Sequence, residues 1–209
     1  MRALITGVTG QDGSYLAELL LEKGYEVYGI VRNIARANRE GAAVAAGRIN
    51  YVEGDLADQT SLDRAMQQVK PTEVYNLAGQ TFVPVSWSQP LLTMEVTGMG
   101  ALRMLEAIRR HAPQARFLQV SSSEIFGRSD EAQQTEATRL QPRNPYGAAK
   151  MFAHHITINY RESYGTFACS CIAFNHESPR RAPELVTRKV SRQVARIKIG
   201  LAEKLNMGN

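Results

Sequence analysis

Ser122, Glu124, Tyr146 and Lys150 are the residues of this chain whose types and spacing can do chemistry. If residues 115–122 form a strand, Ser122 and Glu124 sit at its carboxyl end and point to the same side. If a helix begins near Pro145, Tyr146 and Lys150 lie one turn apart on one face. The four would then converge where an open α/β sheet holds its ligand. A hydroxyl, a carboxylate, a phenol and an amine suffice for a hydride transfer coupled to a second proton transfer. A free tyrosine titrates near pH ~10; a neighbouring ammonium and an oxidised nicotinamide would both favour its phenolate form. A Tyr and a Lys four apart also arise as an ordinary amphipathic face. The upstream serine and a glycine motif in register are what set this pair apart.

That motif is Gly7-Val8-Thr9-Gly10-Gln11-Asp12-Gly13, lying between the first strand and the first helix. Glycines there permit a tight turn and close backbone approach to a pyrophosphate at the helix N-terminus. Gly7, Thr9, Gly10, Gln11, Asp12 and Gly13 are therefore candidate dinucleotide contacts. After the second strand stand Arg32 and Asn33, with Arg36 and Arg39 following, where an NAD site would usually carry an acid. Arg32 can meet a 2′-phosphate, so NADP is the expected cofactor; the alternative is a surface cation at a strand end. Asp55 and Leu56, after the third strand, could reach the adenine edge or simply make a turn. The small residues from Leu77 through Ala78, Gly79, Gln80 and Thr81 would let a cofactor lie against the backbone.

The elements that must position these residues alternate in type along the chain. Residues 3–6, 25–31, 49–53, 74–77, 115–122 and 167–174 read as strands. Residues 11–23, 60–68, 92–110 and 183–200, with a segment starting near 145, read as helices. This order implies βαβ crossovers and a Rossmann-like, doubly wound parallel α/β sheet flanked by helices. The Ala/Gly-rich residues 41–47 suggest a loop or short helix without special chemistry.

Composition excludes several other classes. With 209 residues, 44% hydrophobic and 22% charged, the chain suits one well-buried α/β domain with part of a second. No apolar stretch approaches the roughly 20 residues of a membrane span, and no signal-peptide pattern opens the chain. A cytoplasmic location without a membrane partner is the expectation. Cys169 and Cys171 are expected to be buried, reduced thiols, and no cluster completes a metal site. The net charge of +5 concentrates in Arg180, Arg181, Arg188, Lys189, Arg192, Arg196 and Lys198. A phosphorylated small molecule or a solvated helix face accounts for it; without an aromatic platform, nucleic acid is not the expected partner.

Four strings carry a resemblance to a known family. They are residues 7–16 (GVTGQDGSYL), 74–78 (VYNLA), 159–165 (NYRESYG) and, most specific, 174–181 (FNHESPRR). On these the chain resembles the GDP-mannose 4,6-dehydratases among the extended short-chain dehydrogenase/reductases, over essentially its whole length. The resemblance implies catalytic roles for Ser122, Glu124, Tyr146 and Lys150, with Ser122 where the family has threonine. It implies cofactor contacts from His176, Arg181 and the 77–81 loop. It also implies substrate contacts from Ser86, Asn175, Thr187, Arg188 and Lys189. Asn33 and Leu92 depart from an arginine and a tyrosine common in relatives. The family pattern continues past Asn209, so residues 1–175 would be the NADP-binding domain and 176–209 the start of the sugar-nucleotide-binding region.

The activity the resemblance implies is NADP-dependent dehydration of GDP-D-mannose to GDP-4-dehydro-6-deoxy-D-mannose, in a homo-oligomer. A sugar-nucleotide reductase or epimerase is the alternative enzyme, because those relatives also carry Ser-Ser-Glu here. A non-catalytic NADP-binding fragment is the alternative from another class.

Overall fold

Ala3, Leu4 and Ile5 are completely buried in the first strand, β1 (Arg2–Thr6). The structure, a computed structural model, describes residues 1–40 and 47–207. Among them β1 is joined by β2 (Glu26–Val31), β3 (Asn50–Glu53), β4 (Glu73–Asn76), β5 (Arg116–Val120) and β6 (Ala168–Cys171). The six strands form one sheet in the order β3-β2-β1-β4-β5-β6, and each pairing is parallel. The chain winds outward from β1 to β3, then returns to place β4 on the other side of β1. That reversal leaves a crevice beyond the carboxyl ends of β1 and β4, where doubly wound sheets bind ligands.

Helices on both faces supply the burial that a parallel sheet requires. On one face α1 (Gln11–Glu22) packs Ala17 and Leu20 with Ala3, Ile5, Val8 and Val27. The short α2 (Ile34–Glu40) follows β2, with the Asn33 carboxamide accepting the Arg36 N–H at 2.8 Å. On the other face α3 (Gln59–Val69) starts at Asp58, which accepts the Thr60 N–H at 3.0 Å. Its Leu62, Ala65, Met66 and Val69 join Val74, Phe117 and the buried side of the later helix α6 (Gly100–His111). Between them come α4 (Val83–Ser88), α5 (Pro90–Thr93) and a π-helical turn at Met94–Met99. The helix expected over residues 92–110 thus begins at Pro90 and changes its hydrogen-bond pattern midway. α7 (Pro145–Tyr164) leads back to β6 and ends at Gly165, whose φ of 67° suits a left-handed helix stop.

Two expectations about β5 and β6 need correction. β5 ends at Val120, so Ser122 and Glu124 lie beyond the strand. Cys169 and Cys171 are free thiols as expected but exposed rather than buried. β6 is one of the two edge strands of the described sheet, and the two cysteines alternate with Ala168 and Ser170, the residues on its better-covered side. The expected loop or short helix at 41–46 lies outside the described residues. No described helix is long and apolar enough to cross a membrane.

The chain divides into two units, Met1–Phe174 and Asn175–Asn209. The second contains α8 (Val186–Lys198), none of whose residues is buried. Within it Arg181 pairs with Glu177 at 3.3 Å without hydrogen-bond alignment, and Thr187 donates to the same carboxylate.

Candidate active site

The glycine turn has no room for side chains. Gly7 has a φ of +69°, and a Cβ there would lie 2.9 Å from the Ala78 nitrogen. A Cβ on Gly13 would fall 2.2 Å from the Gly7 carbonyl oxygen. Gly10, which precedes α1, donates its N–H to that same carbonyl at 2.9 Å. Thr9 and Gly10 are exposed, and Gln11 and Asp12 half-buried and hydrogen-bonded to each other at 3.0 Å. This cradle, brought against the 77–81 loop at the β1–β4 crevice, fits a dinucleotide pyrophosphate. The loop is pinned in turn: the Ala78 N–H donates to Thr6 Oγ1 and the Gln80 N–H to Thr97 Oγ1, each at 3.0 Å.

Asn144, Pro145 and Gly147 bring the tyrosine helix to the end of β5. Asn144 Oδ1 accepts the Gly147 N–H at 2.7 Å, and Pro145 occupies the first turn, where it needs no donor. A Cβ on Gly147 would stand 2.6 Å from the Glu124 carbonyl oxygen, so glycine permits the close approach. Tyr146 is 7% exposed and Lys150 2%. Lys150 Nζ lies 5.9 Å from the Tyr146 ring centroid and donates to the Val120 carbonyl at 2.7 Å. Burial pushes the lysine down to about 8.

Ser122 and Glu124 meet this helix through a 3₁₀ turn at Ser123–Ile125, not through strand alternation. Ser122 is extended, with a φ of −151°, and its Oγ accepts the Glu124 N–H at 3.3 Å. Glu124 Oε2 accepts from Asn144 Nδ2 at 2.7 Å. Asn144 was not among the expected site residues, although an Asn before Pro is a visible helix-start signal. Ser121, 2% exposed, has a hydroxyl without a hydrogen-bond partner among the described residues.

The remaining expected residues lie on other elements. Ser86 is fully buried and donates to the Val83 carbonyl at 2.7 Å. Leu56 is in the core, and Asp55 shapes its own turn by accepting the Ala57 N–H at 2.9 Å. Arg32 is exposed at the end of β2. Asn175, His176, Arg181, Thr187, Arg188 and Lys189 belong to the second unit, the last three within the first turn of α8. No group of three or more potential metal ligands occurs among the described residues.

A glycine turn at the switch point of a 3-2-1-4-5-6 sheet, facing a helix with Tyr146 and buried Lys150, defines a short-chain dehydrogenase/reductase-type Rossmann domain. The sequence pattern of one family within that class, GDP-mannose 4,6 dehydratase, matches residues 4–209. The chain belongs to this family. It is 47% identical to the GDP-mannose 4,6-dehydratase of Yersinia enterocolitica, covering 100% of this chain and 58% of that one. With that of Vibrio cholerae the identity is 50%, with the same coverages. The chain thus spans somewhat over half the length of these relatives.

Solved structures of the same fold include UDP-glucose 4-epimerase from Thermus thermophilus in complex with NAD. That match has a TM-score of 0.79 and 29% identity, over 96% of this chain and 64% of that one. Another is DesIV, a dTDP-glucose 4,6-dehydratase from Streptomyces venezuelae with NAD bound: TM-score 0.78, 26% identity, covering 96% and 63%. RMD from Pseudomonas aeruginosa, at TM-score 0.75 and 26% identity over 96% and 63%, is complexed with NADPH. NAD predominates among such neighbours. The expected preference for NADP is therefore corrected. Its physical weakness is also visible: Arg32 is exposed, and Asn33 uses its carboxamide to start α2.

Proposed function

We propose that this chain carries the dinucleotide-binding and catalytic part of an enzyme converting GDP-D-mannose to GDP-4-dehydro-6-deoxy-D-mannose and water, with NAD as recycled cofactor. The observation that carries the proposal is the carboxylate of Glu124, held by Asn144 beside Ser122 at the start of the Tyr146 helix. Alcohol oxidation alone needs a hydroxyl, a phenol and an amine; elimination of water needs a further base.

Ser122 would hold the C4 hydroxyl while Tyr146, as phenolate, takes its proton. Lys150, kept close to Tyr146 by the Val120 carbonyl, favours that phenolate whenever it is charged. A C4 ketone acidifies the C5 hydrogen; Glu124 would remove it and pass a proton to the departing C6 hydroxyl. NAD, which the glycine turn and the 77–81 loop would hold, would supply a hydride acceptor at C4 and a hydride donor at C6; the proton taken by Tyr146 would return to C5, leaving no net oxidation. On the same reading the enzyme is a cytoplasmic homo-oligomer, which size-exclusion chromatography and cell fractionation would test.

The test is to incubate the protein with GDP-mannose and NAD, following absorbance at the reduced-nicotinamide band and the product by NMR. A 6-deoxy-4-keto product without net absorbance change supports the proposal. Steady consumption of reduced cofactor would make the protein a reductase. A product that keeps its C6 hydroxyl but inverts a ring carbon would make it an epimerase. Cofactor binding without turnover would leave it a binding unit.

A further inference from the structure

Thr6, Asn76 and Gln119 occupy aligned positions on three neighbouring strands: Thr6 pairs with Asn76, and Asn76 with Gln119. All three are at most 1% exposed. Polar side chains this deep cost stability unless each is hydrogen-bonded. Here they are bonded to one another. Thr6 Oγ1 donates to Asn76 Oδ1 at 2.6 Å, and Asn76 Nδ2 donates to Gln119 Oε1 at 2.7 Å. Gln119 Nε2 then donates to the Val120 carbonyl at 2.8 Å, the carbonyl that also accepts from Lys150 Nζ. At the opposite end, Thr6 Oγ1 accepts the Ala78 N–H beside the glycine turn.

An apolar row would have served the core more simply, since packing alone would stabilise it without any directional demand. What the polar row adds is a fixed direction for one carbonyl and for the ammonium bound to it. We propose that Gln119 is a positioning residue: through the carbonyl of Val120 it sets where Lys150 Nζ sits relative to Tyr146, and the Thr6–Asn76 pair ties that setting to the cofactor loop. This rests on the function proposed above for the role of Lys150, but the geometry itself does not. Gln119 touches neither cofactor nor substrate on this account; it acts through a shared acceptor.

The experiment compares Gln119→Leu and Gln119→Glu with Leu62→Ala, a core change outside the row. Thermal melting, NAD affinity by calorimetry, and the titration of Lys150 by NMR of ¹³C-labelled lysine are measured for each. Tyr146 is the titratable side chain described beside Lys150. Gln119→Leu is expected to weaken NAD binding about tenfold, the equivalent of losing one buried hydrogen bond. Leu62→Ala should lower the melting temperature while keeping NAD affinity. Gln119→Glu should raise the Lys150 titration midpoint, because a carboxylate then sits beside the carbonyl that holds the ammonium. Equal NAD affinity in Gln119→Leu and Leu62→Ala, or an unmoved Lys150 midpoint in Gln119→Glu, would overturn the proposal. If Gln119→Leu does not fold, the Gln119→Glu titration decides. If the unmodified protein does not bind NAD, the proposed function fails, and the same titration still decides the relay.

Discussion

Asn144 Nδ2 donates to Glu124 Oε2 at 2.7 Å while Asn144 Oδ1 accepts the Gly147 N–H at 2.7 Å, so one carboxamide fixes both the carboxylate and the start of the tyrosine helix. The two roles separate by substitution. Asn144→Asp keeps a good N-cap but loses the donor and faces Glu124 with a like charge. Asn144→Ala loses both, at about 1 kcal/mol for the cap. The expected result is a melting temperature near the unmodified value for Asn144→Asp, a lower one for Asn144→Ala, and slowed water elimination in both. Full elimination rates in Asn144→Asp would restrict Asn144 to capping.

Glu124→Gln preserves shape while removing the base. With GDP-mannose it is expected to accumulate reduced cofactor, since oxidation at C4 proceeds and elimination does not. Stopped-flow absorbance in the reduced-nicotinamide band reads this directly. Turnover at the unmodified rate would show that the C5 base is another residue.

The glycine turn predicts a graded series. Gly13→Ala places a methyl 2.2 Å from the Gly7 carbonyl and must push the turn apart, whereas at Gly10 the nearest atom is 3.2 Å away. NAD affinity should fall by at least about tenfold in Gly13→Ala, one buried contact's worth or more, and distinctly less in Gly10→Ala. Calorimetric titration of both variants checks the order; equal affinities would contradict it.

Lys150 makes stability depend on pH in a defined window. Burial lowers it to about 8 from the ordinary 10.5. Below pH 8 both folded and unfolded chains hold the proton, and the buried ammonium opposes folding. Between pH 8 and 10.5 the folded chain releases its proton first, so stability rises with pH. The shift corresponds to about 3 kcal/mol. Relative to Lys150→Met, the unmodified protein should therefore gain about that much unfolding free energy from pH 7 to 10.5 by denaturant titration. Parallel profiles would place Lys150 in contact with water.

The strands and the glycine turn were legible because burial on both faces writes continuous apolar runs such as Ala3-Leu4-Ile5, and because only glycine fits the Gly7–Gly13 approach. Tyr146 and Lys150 were legible because helical spacing is fixed. Ser122 and Glu124 were named by type, but their meeting depends on a 3₁₀ turn that strand alternation does not describe. Ser86 carries a contact that the sequence does not display: a serine in a helix can bond its own turn, and only packing reveals that it does. Cys169 and Cys171 resemble core residues locally, but they lie on the face of β6 opposite Ser170, the residue that meets His154 of α7. Gln119 had no local signature at all, since its partners are Asn76, 43 residues away, and the carbonyl of its own neighbour.

The π-helical turn at Met94–Met99 keeps α6 in rotational phase. Its hydrogen bonds span five residues instead of four, which accommodates one extra residue in the helical run. Thr97 within it receives the Gln80 N–H and packs against Gly79. A regular α-helical turn would need one residue fewer, so a single deletion within 94–99 would leave α6 in phase, with Met104, Leu105 and Ile108 still buried against the sheet. What the deletion would shift is Thr97, and with it the hydroxyl that holds the Gln80 N–H. The surplus residue therefore serves the cofactor loop, and the helix beyond it could be built without it.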